Sequence, residues 1–112
     1  MVLSKAERSK INKANRARGY RVERLDVLYH KERGIFAFRF PQKHQRKDFA
    51  TWDIIVCKAT GTEIHQVKDR KDLMGKLEKE NHIRTVTFWG MIPVLCWRVP
   101  FKGLRFEILE ID

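Results

Sequence analysis

The sequence predicts an α/β fold in which a mixed central β-sheet is flanked by helices. Three observations carry that expectation. Apolar residues recur at helical spacing early in the chain, and short β-branched or aromatic runs follow them. The predicted elements succeed one another as helix, three strands, helix, two strands, an order that builds one sheet with helices packed on it. The length of 112 residues suits a single domain with a real core, and the 43% hydrophobic share is ordinary for one.

Residues 1–18 are polar and basic, with Lys5, Arg8, Lys10, Lys13, Arg16 and Arg18 against the single acid Glu7. Ser4-Lys5-Ala6-Glu7 has the spacing of a capping box. The stretch reads as a basic N-terminal arm, partly helical, that orders on a phosphate backbone; a solvated tail is the alternative. From Tyr20 to Lys31 the residues Tyr20, Val22, Leu25, Leu28 and Tyr29 mark one apolar helix face, with Glu23, Asp26 and His30 off its centre line. Gly34 stands where a helix C-terminal cap is expected.

Residues 34–40 read as an aromatic-rich strand bounded by Gly34 and Pro41. Residues 41–48 form an exposed, positively charged loop carrying Lys43, His44, Arg46 and Lys47. Residues 52–58 are a second strand, apolar enough for burial on both faces. A tight turn at residues 59–62 leads into a third strand at 63–68, so strands two and three form a hairpin. Residues 71–89 mix helix formers (Lys76 to Glu80) with β-branched residues (Thr85 to Thr87), and Gly90 and Pro93 favour a helix ending near Trp89. Strands at 94–99 and 104–109 close the sheet.

Charge sets the expected partner. Lys and Arg number 24 against 14 acids, a net charge of +10. Such a balance points to a polyanion, nucleic acid before an anionic membrane surface, because no segment has the clean apolar face of a membrane-surface helix. Cys57 and Cys96 sit in apolar runs, and neither a disulfide framework nor zinc-ligand spacing is present; both read as small buried residues in a reducing compartment. No apolar h-region of a signal peptide and no apolar run long enough to span a bilayer is visible, so a soluble, intracellular protein is expected.

Three polar residues fall where a core sheet should be apolar. Asp53 opens the second strand, and Gln66 and Lys68 lie on one face of the third. The hairpin brings Asp53 to the same end of the sheet as Lys68. Burying a lone acid or ammonium is costly unless it is paired or binds a metal. A carboxylate, an amide oxygen and a lysine can form a hydrolytic site for a phosphodiester. Asp53, Gln66 and the Val67 carbonyl would hold a hard cation, Mg²⁺ with Mn²⁺ as an alternative, with Glu23 of the first helix as a further ligand. Lys68 would orient the attacking water or neutralise developing charge. Spacing alone also admits a structural account, in which Asp53 caps a strand end, Gln66 satisfies sheet-edge groups and Lys68 pairs with Asp53.

The arrangement resembles the PD-(D/E)xK nuclease superfamily, and more closely the archaeal-type Holliday junction resolvases. Arg18-Gly19-Tyr20-Arg21-Val22-Glu23-Arg24 is similar to that family's lead-in to its first helix. Gly34-Ile35-Phe36-Ala37-Phe38-Arg39-Phe40-Pro41 resembles its first strand, and Asp53-Ile54-Ile55 and Gln66-Val67-Lys68 follow in the family's order and spacing. Residues 93–99 resemble its late strand. The resemblance covers about residues 16–110. It implies a restriction-endonuclease-like fold and one nuclease domain over residues 1–112. It also implies cleavage of four-way DNA junctions by a homodimer, with Glu23, Asp53 and Gln66 on the metal and Lys68 catalytic. Arg16, Arg18, Arg21 and Arg39, with Lys43, Arg46 and Lys47, are the expected DNA contacts. Two departures stand out: Gln66 replaces the usual acid, removing a negative charge from the site, and Trp52 stands where the motif has Pro. Another nuclease of the superfamily, or a non-catalytic nucleic-acid-binding protein of the same fold, remain alternatives.

Overall fold

The computed structural model describes residues 4–41 and 51–111, with the backbone alone for residues 12 and 14–19. The order is α1 (Lys5–Lys31), β1 (Phe36–Arg39), β2 (Ile54–Lys58), β3 (Gly61–Lys68), a single 3₁₀ turn (Lys71–Leu73), α2 (Lys76–Phe88), β4 (Ile92–Val99) and β5 (Gly103–Ile108). The five strands lie in sequence order across one sheet. β3 and β4 run parallel, joined by the α2 crossover; the other three pairings are antiparallel. The mixed sheet, the flanking helices and the element order are those expected from the sequence.

α1 departs from its predicted bounds. It begins at Lys5 and runs without a break through the supposed arm for 27 residues, about 40 Å at 1.5 Å per residue. The Ser4 hydroxyl accepts from the Glu7 amide at 3.1 Å, so the capping-box spacing does mark a true start. Gly19, costing about 1 kcal/mol in a helix interior, and the thin apolar content up to it hide that continuity from a sequence reading. Every described side chain from Lys5 to Arg21 is exposed. The other end follows expectation: Gly34 takes φ +72° while Ile35 N–H closes back on the His30 carbonyl at 2.9 Å.

The apolar face expected on α1 is buried only in part. Val22 is buried and Tyr29 half-buried, but Tyr20, Leu25 and Leu28 are exposed, and Glu23, Asp26 and His30 point at the sheet instead. Paired polar groups can replace an apolar stripe when every charge finds a partner, and here they do. The core on this face gathers Val22, Ala37, Ile54, Val56, Val67 and Cys96. On the opposite face Ile83 of α2 packs with Leu95 and Leu109, edged by Met74 and Trp97. The sheet is thus covered on both sides, with β3 contributing alternate side chains to each.

One smaller expectation fails. Cys57 is exposed, near the end of β2, while Cys96 is buried and its thiol is pushed up by that burial. Trp89 is exposed beside Phe88, their rings edge to face at 5.3 Å, whereas Trp97 and Phe106 pack inward.

Candidate active site

β3 separates two clusters of ionisable groups because its side chains alternate. Gln66 and Lys68 face α2, and Glu63 and His65 face α1.

On the α2 face, Asp53 stands immediately before β2. Its amide donates to the His65 carbonyl at 3.0 Å, and its carbonyl accepts from Phe40 N–H at 2.9 Å. Its side-chain Oδ2 accepts from the Val67 amide at 2.8 Å. The carboxylate is therefore seated on the peptide between Gln66 and Lys68, so the hairpin brings the three expected residues together. Lys68 Nζ and Gln66 Nε2 both donate to Glu78 Oε2, at 2.8 and 2.9 Å. Gln66 is buried, and its Oε1 has no hydrogen-bond partner among the described residues. The two other buried atoms described in that condition, Asp26 Oδ1 and Asp69 Oδ1, lie beside His30 (2.9 Å) and Arg98 (3.6 Å). Gln66 Oε1 thus stands apart as an uncompensated buried acceptor, which costs roughly 1–3 kcal/mol unless something donates to it or coordinates it. A hard cation takes such oxygen donors, so this donor set fits one.

Glu23 approaches from the other side of the sheet. Arg39 Nε donates to its Oε2 at 2.5 Å, and the Arg39 guanidinium lies over the Tyr20 ring, 4.0 Å from its centre. Arg39 pairs across the ladder with Ile54, the residue after Asp53, so the Glu23–Arg39 pair borders Asp53. Burial pushes the Glu23 carboxyl above its ordinary 4.5; Arg39 only partly opposes this, and Asp26 adds to it. A buried acid with a raised pKa gains from a cation that stabilises its charged form. Glu23, Asp53 and Glu78 do not gather within 4.8 Å of one another. Arg39 and Lys68 hold the outer two.

The α1 face carries a network that the sequence pattern does not predict. His65 Nδ1 lies 2.6 Å from Asp26 Oδ2 and its Nε2 lies 2.8 Å from Glu63 Oε1, while Lys58 meets Glu63 at 3.0 Å. His30 Nδ1 lies 2.8 Å from the Asp26 carbonyl and 2.9 Å from Asp26 Oδ1. Asp26, His30 and His65 are fully buried. Burial opposes charge on Asp26, Glu63 and His65, but their mutual bonds outweigh it. Both acids settle below their ordinary values, and His65 settles above 6.5. His30, Glu63 and His65 are the one group of potential ligands within 4.8 Å of one another among the described residues. Both His65 nitrogens already face carboxylates, so the arrangement works as a proton-filled ion-pair network. The signal for it in the sequence is the Asp26–His30 spacing of four on a helix and the Glu63–His65 spacing of two on a strand.

Of the expected DNA contacts, Arg21 is exposed and, with Arg24, Lys31 and Arg39, lines a groove of about 610 Å³ floored by Leu25, Val27 and Leu28. Arg16 and Arg18 lie on the α1 backbone at positions whose side chains are not described, and Lys43, Arg46 and Lys47 lie outside the described residues. No described helix is long and apolar enough to cross a membrane.

No protein-family model matches the chain, and no curated protein matches it by sequence. Ten chains of solved structures match it. Among them is Hjc of Archaeoglobus fulgidus, a Holliday junction resolvase from an archaeal hyperthermophile, with a TM-score of 0.66 and 23% sequence identity over 79% of this chain and 73% of that one. The fold is therefore shared with a resolvase, as the strand and helix motifs lead one to expect.

Proposed function

We propose that this chain is a divalent-cation-dependent endodeoxyribonuclease that resolves four-way DNA junctions by phosphodiester hydrolysis. The observation that carries the reading is the Asp53 carboxylate seated on the Val67 amide between Lys68 and a Gln66 amide whose buried oxygen has no partner among the described residues. The likeness in fold to a Holliday junction resolvase supports the choice of substrate.

Asp53, Gln66 through Oε1, the Val67 carbonyl and Glu23 would hold the cation, Mg²⁺ or Mn²⁺. When bound, such an ion lowers the pKa of water and stabilises charge on the phosphoryl oxygens. The Val67 N–H fixes the Asp53 carboxylate in position. The part-buried Lys68 ammonium would neutralise charge that grows as the phosphodiester is attacked. Arg39 orders Glu23. The α1 cations Arg16, Arg18 and Arg21, with Arg39 and the loop residues Lys43, Arg46 and Lys47, supply phosphate contacts. Cutting two strands of a junction calls for two active sites, hence a symmetric homodimer.

A second reading, a DNA-binding protein without catalysis, is favoured by two observations: Gln66 leaves the α2 face of β3 without an acid, and Lys68 is engaged by Glu78. Incubating the protein with four-way junction and linear duplex, in Mg²⁺ or in EDTA, separates the two. The nuclease reading expects metal-dependent cuts in the junction; binding without cuts in Mg²⁺ and in Mn²⁺ would establish the other.

A further inference from the structure

We propose that Glu78 supplies to the cation site the carboxylate that β3 lacks at Gln66. This inference rests on the cation-site reading above and assigns it a residue from a different element. Glu78 lies in the first turn of α2, yet its Oε2 lies over β3, where it accepts from both Gln66 Nε2 (2.9 Å) and Lys68 Nζ (2.8 Å). A Glu at position 66 has nearly the same shape as Gln. It would put a second carboxylate oxygen where Nε2 now donates, within hydrogen-bond range of Glu78. Two carboxylates so close resist ionising together, so the pair accommodates one negative charge. The amide at 66 and the acid at 78 are two halves of one arrangement.

The donor geometry agrees. Gln66 spends its nitrogen on Glu78, which turns its oxygen away to a buried position that has no partner among the described residues. The other Glu78 oxygen, Oε1, accepts from the Gly75 amide at 3.4 Å, a long bond that a cation can displace. Glu78 engaged by a cation would leave Lys68 free for the substrate phosphate.

The test reads Mn²⁺ binding without DNA, by the electron paramagnetic resonance signal of free Mn²⁺, on chains checked for folding by thermal melting. Glu78→Gln should weaken Mn²⁺ binding by about tenfold or more, as loss of a charged oxygen donor does. The double variant Glu78→Gln with Gln66→Glu moves the carboxylate onto β3 and should restore affinity to within about threefold of the starting chain. A purely structural Glu78 would not be rescued in this way. Unchanged affinity in E78Q, with Asp53→Asn binding poorly, overturns the assignment of Glu78 while leaving the site standing. Unchanged affinity in both E78Q and D53N removes the site, and this inference with it. If E78Q fails to fold, the double variant alone decides: Mn²⁺ affinity reduced about tenfold there contradicts the proposal.

Discussion

Asp26 shows how much depends on single side chains in this protein. It is fully buried and holds His65 at 2.6 Å and His30 at 2.9 Å. Removing one partner of a buried pair leaves the other charge uncompensated, typically at a cost of about 3–5 kcal/mol. Asp26→Asn should therefore lower unfolding free energy by about that much near pH 6, measured by urea denaturation; a loss under about 1 kcal/mol would show the network to be dispensable. The pH profile follows from the same groups. His65, raised above 6.5, stabilises the fold below that pH and loses its contribution as pH climbs through its folded value. Asp26 and Glu63, lowered, contribute above their ordinary 3.8 and 4.5 and fail as pH falls through their folded values. His82 acts in the opposite sense to His65. Burial lowers it to about 4, against the pull of the Ile64 carbonyl and with the His65 charge adding to the effect. Its ring bridges Thr51 and Ile64, both at 2.9 Å. The unfolded chain then takes up a proton below pH 6.5 that the folded one refuses until about 4, so stability declines across that window. His82→Gln should flatten this acid limb in denaturation curves at about pH 6.5, 5.5 and 4.5; an unaltered limb would assign it to other groups.

At the scale of elements, the strands are the legible part of the sequence. β2 and β3 announce themselves by apolar runs on either side of a tight turn, though β3 begins at Gly61, two residues earlier than expected, and Asp53, Gln66 and Lys68 stand out because a sheet interior should not contain them. Their convergence follows from alternation and hairpin geometry. Glu78 is not legible, because its meeting with β3 depends on how α2 docks, and helix docking is tertiary information. The buried face of α1 escapes for a related reason: periodicity marks apolar residues, whereas this helix buries Glu23, Asp26 and His30, which are acceptable inside only because Arg39 meets Glu23 and because His65 and His30 both meet Asp26. The length of α1 is masked by Gly19. That unbroken length bears on the proposed DNA binding. The helix carries nine Lys and Arg against three acids, six of the ten net positive charges of the chain. Replacing exposed Lys5, Arg8 and Lys13 together by Gln should reduce the slope of log K against log salt by as much as about three for duplex and junction alike, at roughly 0.9 for each phosphate no longer neutralised. A salt slope identical to that of the starting chain would place the DNA elsewhere.

For the molecule as a whole, the two faces of β3 divide the labour. The α1 face is a closed electrostatic network that fixes the strand, and the α2 face presents a carboxylate, an amide oxygen without a partner among the described residues, and a lysine at the sheet end. Rigid strands supporting a site of this kind fit a catalyst whose cation must be held in one geometry. The central claim is that the Asp53 end of the sheet cuts DNA, and the most direct test compares the unaltered chain with Asp53→Asn on a labelled four-way junction in Mg²⁺, with binding measured on the same samples by gel shift. The account predicts cleavage by the unaltered chain, a loss of at least about a hundredfold in D53N, and junction affinity within about threefold between the two. Cleavage of equal rate in both proteins, or none in either while both bind the junction, would contradict it.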